Sequence, residues 1–431
     1  MKIKGIKIPR EKASEKSETI AVPLPESVNI PMLHGLGDEC TPTVKVGDRV
    51  LVGQKIGDGD NAVPVHSSVS GRVSLISDIT LADGRVCKAV EIKTDGRQEV
   101  SPWVKPPIVR DRESFISAVR ESGCVGLGGS GDVTYKKLSA AADLLIVNAV
   151  ECEPYITSDY RCIIEDGDNA AEGIRLVMRY LSIDKAYVAV SSDKEEAVRI
   201  LREKTANDEN ITVKPQRPRY PLGAEKVLAV NLSDKKIKLG EEPLEKGVLV
   251  LNISTLAFIG AYIKTGMPLV TRRVTVDGSI VKTPCSVSAP VGTSYRDLLE
   301  FAETNIDAAE KILSGGPMMG VCVGDVSYPL CKQCNAVTAF IKPLKDKKPT
   351  GLIVPAKETG CFRCGKCVEV CPMKLMPLKL ERAFDKKDIN ALKRLNAQLC
   401  LNCGSCSYVC PAKRRIPEKN MQAQKLLADE A

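Results

Sequence analysis

The sequence predicts a multidomain fold: a β-sandwich, an α/β domain, a β-grasp-like module and a helical cysteine-rich domain, in that order. Three observations predict it. The chain has 431 residues, enough for about three domains. Its middle alternates strand and helix patterns, whereas its first hundred residues do not. Eight of its 17 cysteines recur in one repeated spacing near the C-terminus. Hydrophobic residues at 43% and charged residues at 27% are ordinary for a globular protein and exclude disorder. Aromatics at 4%, with one Trp, exclude the broad stacking surface of a nucleic-acid binder. No uninterrupted apolar run reaches the roughly 18 residues of a membrane span. The nearest, 248–263, contains Asn252, Ser254, Thr255 and Gly260 and reads as a strand followed by a buried helix. The first eighteen residues are rich in Lys, Arg and Glu, so no secretory leader is expected. In the cytoplasmic setting this implies, so many cysteines argue for metal rather than disulfides.

From about 20 to 105, short alternating runs such as Val44 to Ile56 and Val63 to Val73 are broken by Gly-Asp and Ser-Gly turns, the mark of a small sandwich. This segment, assigned to residues 1–105, resembles the biotinyl/lipoyl-type barrel-sandwich hybrid. Those carriers modify a lysine at a hairpin tip, where this chain has Ser67-Ser-Val-Ser70, so a scaffold role is expected. After the proline-rich joint 102–107 comes an α/β domain, 106–247. Asp111 or Ser114 caps a helix that carries Phe115 and Val119 and closes at Gly123. A glycine loop at 126–131, a buried strand at 144–147, a helix near 168–181, a strand at 186–190 and a helix at 193–205 follow. Residues 248–345 read as a β-grasp module, with strands in 269–281 and from 286 and a helix before 309. Residues 346–431 form the cysteine-rich domain, helical from about Gly351.

Cys361-x2-Cys364-x2-Cys367-x3-Cys371-Pro372 is repeated as Cys400-x2-Cys403-x2-Cys406-x3-Cys410-Pro411. Two-residue gaps curl three thiolates onto one cubane, and in two-cluster ferredoxins the fourth Cys ligates the other cluster. Cys361, Cys364, Cys367 and Cys410 are therefore assigned to one 4Fe–4S centre, and Cys400, Cys403, Cys406 and Cys371 to a second. A CxxC pair can also hold zinc, but zinc requires neither a third step nor a trailing proline. The intervening stretches 375–384 and 388–397 have helical periodicity. One-electron chemistry follows.

Gly126-Leu-Gly128-Gly129-Ser-Gly131 satisfies G-x-G-x-x-G, but it follows a helix rather than a strand, which removes the Rossmann context. Its amides remain suited to an anionic phosphate, with Thr134 and Lys137 nearby; a plain structural turn is the competing reading. A buried strand then delivers Asn148-Ala-Val-Glu151-Cys-Glu153-Pro-Tyr155. Tyr220-Pro-Leu-Gly223-Ala-Glu225-Lys226, Asn252-Ile-Ser-Thr255 and Gly315-Gly-Pro-Met-Met-Gly320 come later.

In this order, with the paired cysteine motifs, these segments resemble the RnfC component of the Rnf ferredoxin:NAD oxidoreductase complex, itself similar to the NADH-binding flavoprotein of respiratory complex I. The resemblance spans nearly the whole chain. It implies a complex I flavoprotein-like α/β domain, a soluble-ligand-binding β-grasp module and FMN. The FMN site would comprise Gly126, Gly128, Gly129, Lys137, Asn148, Glu151, Gly223, Glu225, Asn252 and Thr255, with Glu153 and Tyr220 near the nicotinamide of NAD(H). FMN would convert between hydride and single electrons. Two departures matter. The family's Gly-Phe-Pro-Thr is Gly131-Asp132-Val133-Thr134 here, and a carboxylate at Asp132 would repel the phosphates of NADH. Its Asn-Val-Gly-Thr is Asn252-Ile-Ser-Thr255. Both leave FMN standing and weigh against NADH.

Where the family has Lys-Gly-Thr, this chain has Cys331-Lys-Gln-Cys334. That pair reads as a redox dithiol, half a metal site or two unremarkable thiols. Cys40, Cys87, Cys124, Cys152, Cys162, Cys285 and Cys322 have no ligand spacing and are expected to be packed, and His34 and His66 to lie in turns or core. Charge is uneven: residues 342–431 hold 19 Lys and Arg against 9 Asp and Glu, either a solvated face or a docking face for an acidic redox partner. Two functions compete. One is an enzyme subunit relaying electrons from NAD(H) through FMN to redox subunits of a membrane complex, peripheral on its inner face and membrane-bound only through partners. The other resembles the electron carrier associated with proline reductase, feeding a soluble reductase through Cys331 and Cys334.

Overall fold

A computed structural model describes residues 3–341 and 358–430; the expected 345/346 junction and the helical start at Gly351 lie outside the described residues. The N-terminal sandwich is built from alternation. Strands Ser27–Pro31, Val86–Thr94, Gly71–Thr80 and Arg49–Val50 form one antiparallel sheet, and Thr41–Pro42, Lys55–Asp58 and Val65–His66 a second. Their inward residues, among them Val28, Ile30, Val50, Ile56, Val65 and Ile92, make the shared core. The serine stretch where carriers present their lysine is buried, and the Ser68 hydroxyl donates to the Val291 carbonyl at 2.6 Å. That turn is a packing surface.

The α/β domain holds a four-stranded parallel sheet in the order Ile211–Gln216, Lys185–Ser191, Leu144–Ala149, Val248–Asn252. Near-continuous apolar strands suit a sheet covered on both faces. Of the two candidate caps, Asp111 is the N-cap of helix Arg112–Glu121, and Ser114 completes a capping box with it. Helix Ser158–Leu181 starts ten residues earlier than its sequence pattern suggests, with a kink at Asp166. The 253–265 helix packs along it and supplies the apolar partner that the Asp166-Gly-Asp-Asn169 stretch obscures.

The next sheet has six strands: Thr19–Ala21, Cys285–Pro290, Thr271–Asp277, Ala336–Phe340, Lys311–Ser314 and Val321–Cys322. Helix Tyr295–Phe301 packs on it through Tyr295, Leu298 and Leu299. The N-terminal arm thus leaves the sandwich: Thr19–Ala21 pairs in parallel with Cys285–Pro290. The C-terminal domain repeats itself in backbone as in sequence. Gly365 and Gly404 precede the short helices Lys366–Glu369 and Ser405–Tyr408, and Arg363 and Asn402 both adopt positive φ, 54° and 50°. Helices Pro377–Asp385 and Ile389–Arg394 occupy the insert.

Candidate functional site: a cavity beside two thiol rings

The parallel sheet places its switch of strand order between Leu144–Ala149 and Val248–Asn252, because the first is followed by strands on one side and joined by the last on the other. Ligands in such sheets bind outside the carboxyl ends at that point. A cavity of about 530 Å³ lies there, within the size range of cofactor sites. Gly128, Gly129, Lys137, Asn148, Glu151, Gly223, Glu225 and Asn252 line it, as do Glu153, Tyr220, Cys331 and Cys334. Gly126 and Thr255 stand behind: the Gly126 amide donates to the Asp132 carbonyl, and the Thr255 hydroxyl accepts from the Leu127 amide at 2.9 Å.

Each lining group has a local reason for its position. Asn252 ends its strand and caps the following helix, accepting from the amides of Ser254 and Thr255. Its amide donates to Asp159 at 2.6 Å. A Cβ on Gly128 would lie 2.7 Å from the Asn252 amide nitrogen, so only glycine fits there. Among the described residues, no group of the chain accepts from the Gly128, Gly129 or Ser130 amides; they are free to meet a phosphate. Lys137 pairs with Glu225 at 2.8 Å and Asp132 at 3.3 Å. Burial opposes its charge, but the two carboxylates outweigh this and hold its pKa above the ordinary value. The Asp132 charge is thus offset in place.

Glu151, in the left-handed region at φ 43°, accepts from the Asp159 amide at 2.7 Å, at the start of helix Ser158–Leu181. Burial raises its pKa to about 7. Glu153 accepts from the Met318 and Met319 amides and so holds the 315–320 loop against the cavity; burial raises it to about 7 as well. Cys152 accepts from the Gly223 amide at 3.3 Å, and burial pushes its thiol up to about 12.

Three contributors escape sequence reasoning. Lys12, on the N-terminal arm, donates to the carbonyls of Glu151, Glu153 and Ile156, and burial lowers its pKa. Asp159 is buried and accepts from Asn252 and Ser254. The altered Asn252-Ile-Ser-Thr255 motif therefore supplies a hydroxyl to a buried carboxylate. Gly35 and Leu36 bring the sandwich domain to the cavity rim, with the Leu36 amide donating to the Gly131 carbonyl at 2.8 Å. All three are linked to the site by contacts distant in sequence, and no local spacing marks them.

The cysteine motifs gather into two rings. Cys361, Cys364, Cys367 and Cys410 surround one cavity, and Cys371, Cys400, Cys403 and Cys406 surround another. Among the described residues, no three His, Cys, Asp or Glu side chains converge as on a single metal ion. Backbone amides of Arg363 and Leu375 donate to Cys361 and Cys371, and the Asn420 amide donates to Cys400, the kind of contact that tunes cluster potential. Cys403 and Cys406 are buried, whereas Cys364 and Phe362 are exposed. Leu401 lines both this 530 Å³ cavity and the ring of Cys371, Cys400, Cys403 and Cys406, the inner ring. Tyr220, fully buried, lines the cavity and donates its hydroxyl to the Cys403 carbonyl at 2.6 Å.

Of the cysteines outside the motifs, Cys40, Cys87, Cys124, Cys162 and Cys285 are buried as expected. Cys322 is not: it lies exposed on the edge strand Val321–Cys322. Cys152 borders the cavity. His34 and His66 are buried, and burial holds both well below the usual histidine range.

Known proteins bear on this arrangement. Residues 2–97 match the family described as the RnfC barrel sandwich hybrid domain, 119–261 the Nuo51 FMN-binding domain, and 360–413 the 4Fe-4S dicluster domain. The RnfC component of the Na(+)-translocating ferredoxin:NAD(+) oxidoreductase complex of Acetobacterium woodii is 33% identical over 379 residues, 85% of this chain and 84% of its own. The chain belongs to the RnfC family. Its counterpart in the proton-translocating ferredoxin:NAD(+) oxidoreductase complex of Clostridium ljungdahlii is 33% identical over 370 residues, covering 83% of this chain and 78% of that one. The corresponding component of the ion-translocating oxidoreductase complex of Klebsiella pneumoniae is 33% identical over 87% of this chain but only 50% of its own length. A crystal structure of an NAD+-reducing [NiFe]-hydrogenase superposes with a TM-score of 0.50 at 18% identity, over 74% of this chain and 63% of that one, a likeness of fold alone. With an FMN-binding domain joined to a dicluster domain, the family member described here is an electron-transfer iron–sulfur flavoprotein.

Proposed function

We propose that this chain relays electrons between NAD(H) and partner subunits of an Rnf-type membrane complex, through FMN, then the Cys371/Cys400/Cys403/Cys406 cluster, then the Cys361/Cys364/Cys367/Cys410 cluster. FMN supplies the exchange between hydride and single electrons. The observation that carries the order is the shared wall: Tyr220 and Leu401 border the flavin cavity and touch or line the inner ring. Gly128, Gly129 and Lys137 would hold the phosphate, and Asn148, Gly223 and Asn252 the floor beneath the ring system. Glu153 and Tyr220, which line the same cavity, would border the nicotinamide. Pairing of Asp132 with Lys137 reduces its repulsion of dinucleotide phosphates. Among the described residues no helix is long and apolar enough to cross a membrane, and the proposal places the chain at the inner membrane face, held there by partners. The second reading, a carrier feeding a soluble reductase without NADH oxidation, is favoured by one observation, the presence of Cys331 and Cys334 in the same cavity.

Anaerobic, FMN-replete protein tests these readings. NADH should bleach the flavin band; bound FMN that NADH leaves oxidised would favour the second reading. In Cys403→Ser the flavin should still bleach while reduction of the outer cluster slows at least about tenfold. In Cys364→Ser the inner cluster should stay reducible. Equal outer-cluster rates in wild type and Cys403→Ser would overturn the order.

A further inference from the structure

We propose that Cys331 and Cys334 form a redox-active dithiol–disulfide pair that exchanges two electrons with the flavin, beside the one-electron route through the cubanes. The inference rests on the FMN reading above. Both residues line the cavity read as the flavin site, unlike Cys40, Cys124, Cys162 and Cys285.

The turn that carries them is built for a disulfide. Lys332 and Gln333 are its central residues, and the Cys334 amide donates to the Cys331 carbonyl at 3.1 Å. A β-turn brings its end Cα atoms within about 7 Å, overlapping the roughly 4.4–6.8 Å that a disulfide spans. Both central residues are pinned from outside. Lys332, fully buried, donates to the carbonyls of Pro64 and Gly123 at 2.7 and 3.0 Å. Gln333 accepts from the Gly35 amide at 3.1 Å. Such fixing keeps the two cysteines together in either redox state.

The surroundings also suit opening of the S–S bond. The Tyr295 hydroxyl donates to the Ser314 hydroxyl at 2.8 Å, and Ser314 in turn donates to the Cys334 sulfur at 3.4 Å. Arg272, buried, donates to the Cys334 carbonyl at 3.2 Å. Cys334 is thereby the sulfur better able to leave as a thiolate. The balance closes: the Cys331–Cys334 bond breaks on accepting the electron pair and two protons that reduced flavin surrenders, giving two thiols and oxidised flavin. The reverse restores the disulfide. Burial raises both thiol pKa values, so the reduced pair is neutral and each turnover moves protons with electrons. Metal binding is the weaker use of this pair, since among the described residues no third ligand joins it.

The test is an anaerobic reductive titration of oxidised, FMN-replete protein, with thiol mapping at each end. Wild type should take up about six electrons per chain, against about four for flavin and two cubanes alone. Cys331→Ser and Cys334→Ser, each compared as flavin- and cluster-replete protein, should take up about two fewer. Mapping of oxidised wild type, which needs no variant, should find the cleaved halves of the 331–334 segment cross-linked, and free after reduction. An unchanged count in a flavin-replete variant, or two free thiols in the oxidised wild type, overturns the proposal while leaving the FMN reading intact. A chain that retains no flavin strikes the FMN reading and the proposed exchange together, and its thiol map then reports the pair alone.

Discussion

Asn252 concentrates three roles in one side chain: it caps a helix, satisfies the buried Asp159 and packs against Gly128. Asn252→Ala is therefore expected to cost about 2 kcal/mol, from a lost cap and an under-satisfied buried carboxylate, and to weaken FMN retention. Thermal unfolding and flavin content check both; an unchanged melting temperature would contradict this reading. Glu153 makes a prediction of opposite sign. Its folded pKa of about 7 lies above the ordinary 4.5, so burial favours the neutral acid. The stability tied to this preference is complete below about pH 4.5 and is lost as pH rises through about 7. Glu153→Gln removes the charge and keeps one acceptor oxygen, enough for the Met319 amide but not for the Met318 amide as well. Its stability relative to wild type should rise between about pH 5 and pH 8, by up to about 3 kcal/mol. A pH-independent difference would show that the carboxylate is solvated through the cavity.

At the scale of elements, the close approach of two glycines joins the sandwich to the glycine loop. A Cβ on Gly35, whose φ is 62°, would fall 2.1 Å from the Gly131 carbonyl oxygen. Gly35→Ala should cost on the order of 2 kcal/mol and loosen flavin binding from a different domain; thermal melting with flavin release measures it, and full retention would contradict the role given to that contact. The contact also marks where sequence reading stops. The strand and helix at 248–265 are legible as elements from the polar residues that interrupt the apolar run, but their place is not. The strand pairs with Leu144–Ala149 in the parallel sheet, so the β-grasp module does not begin at 248. The ring assignments rest on cysteine spacing, which is local. Helix Ser158–Leu181 is legible only in its second half, since Asp166-Gly-Asp-Asn169 carries turn residues that packing overrides. Lys12, Gly35 and Asp159 are invisible for another reason: each reaches the cavity across more than a hundred residues or through a partner on another element, and no spacing rule encodes that.

For the whole molecule, the proposed order uses a difference in burial: Cys403 and Cys406 of the ring beside the cavity are buried, whereas Cys364 of the other ring is exposed. The basic surplus lies, along the sequence, in residues 342–431, the segment that carries both cysteine motifs. Association with an acidic redox partner should therefore weaken as ionic strength rises from about 0.05 to 0.5 M, readable by binding titration; a salt-insensitive complex would assign contact to another face. The sandwich, through Gly35 and Leu36, the six-stranded sheet, through Ser314, and its covering helix, through Tyr295, all line the cavity proposed for the flavin, so the site belongs to the assembled chain rather than to one domain. The most direct measurement is the cofactor content of protein isolated without oxygen. The account predicts about eight irons, eight acid-labile sulfides and one FMN per chain, falling to about four irons in Cys403→Ser and in Cys364→Ser alike. Zinc without sulfide, or full clusters with no affinity for FMN, would contradict it.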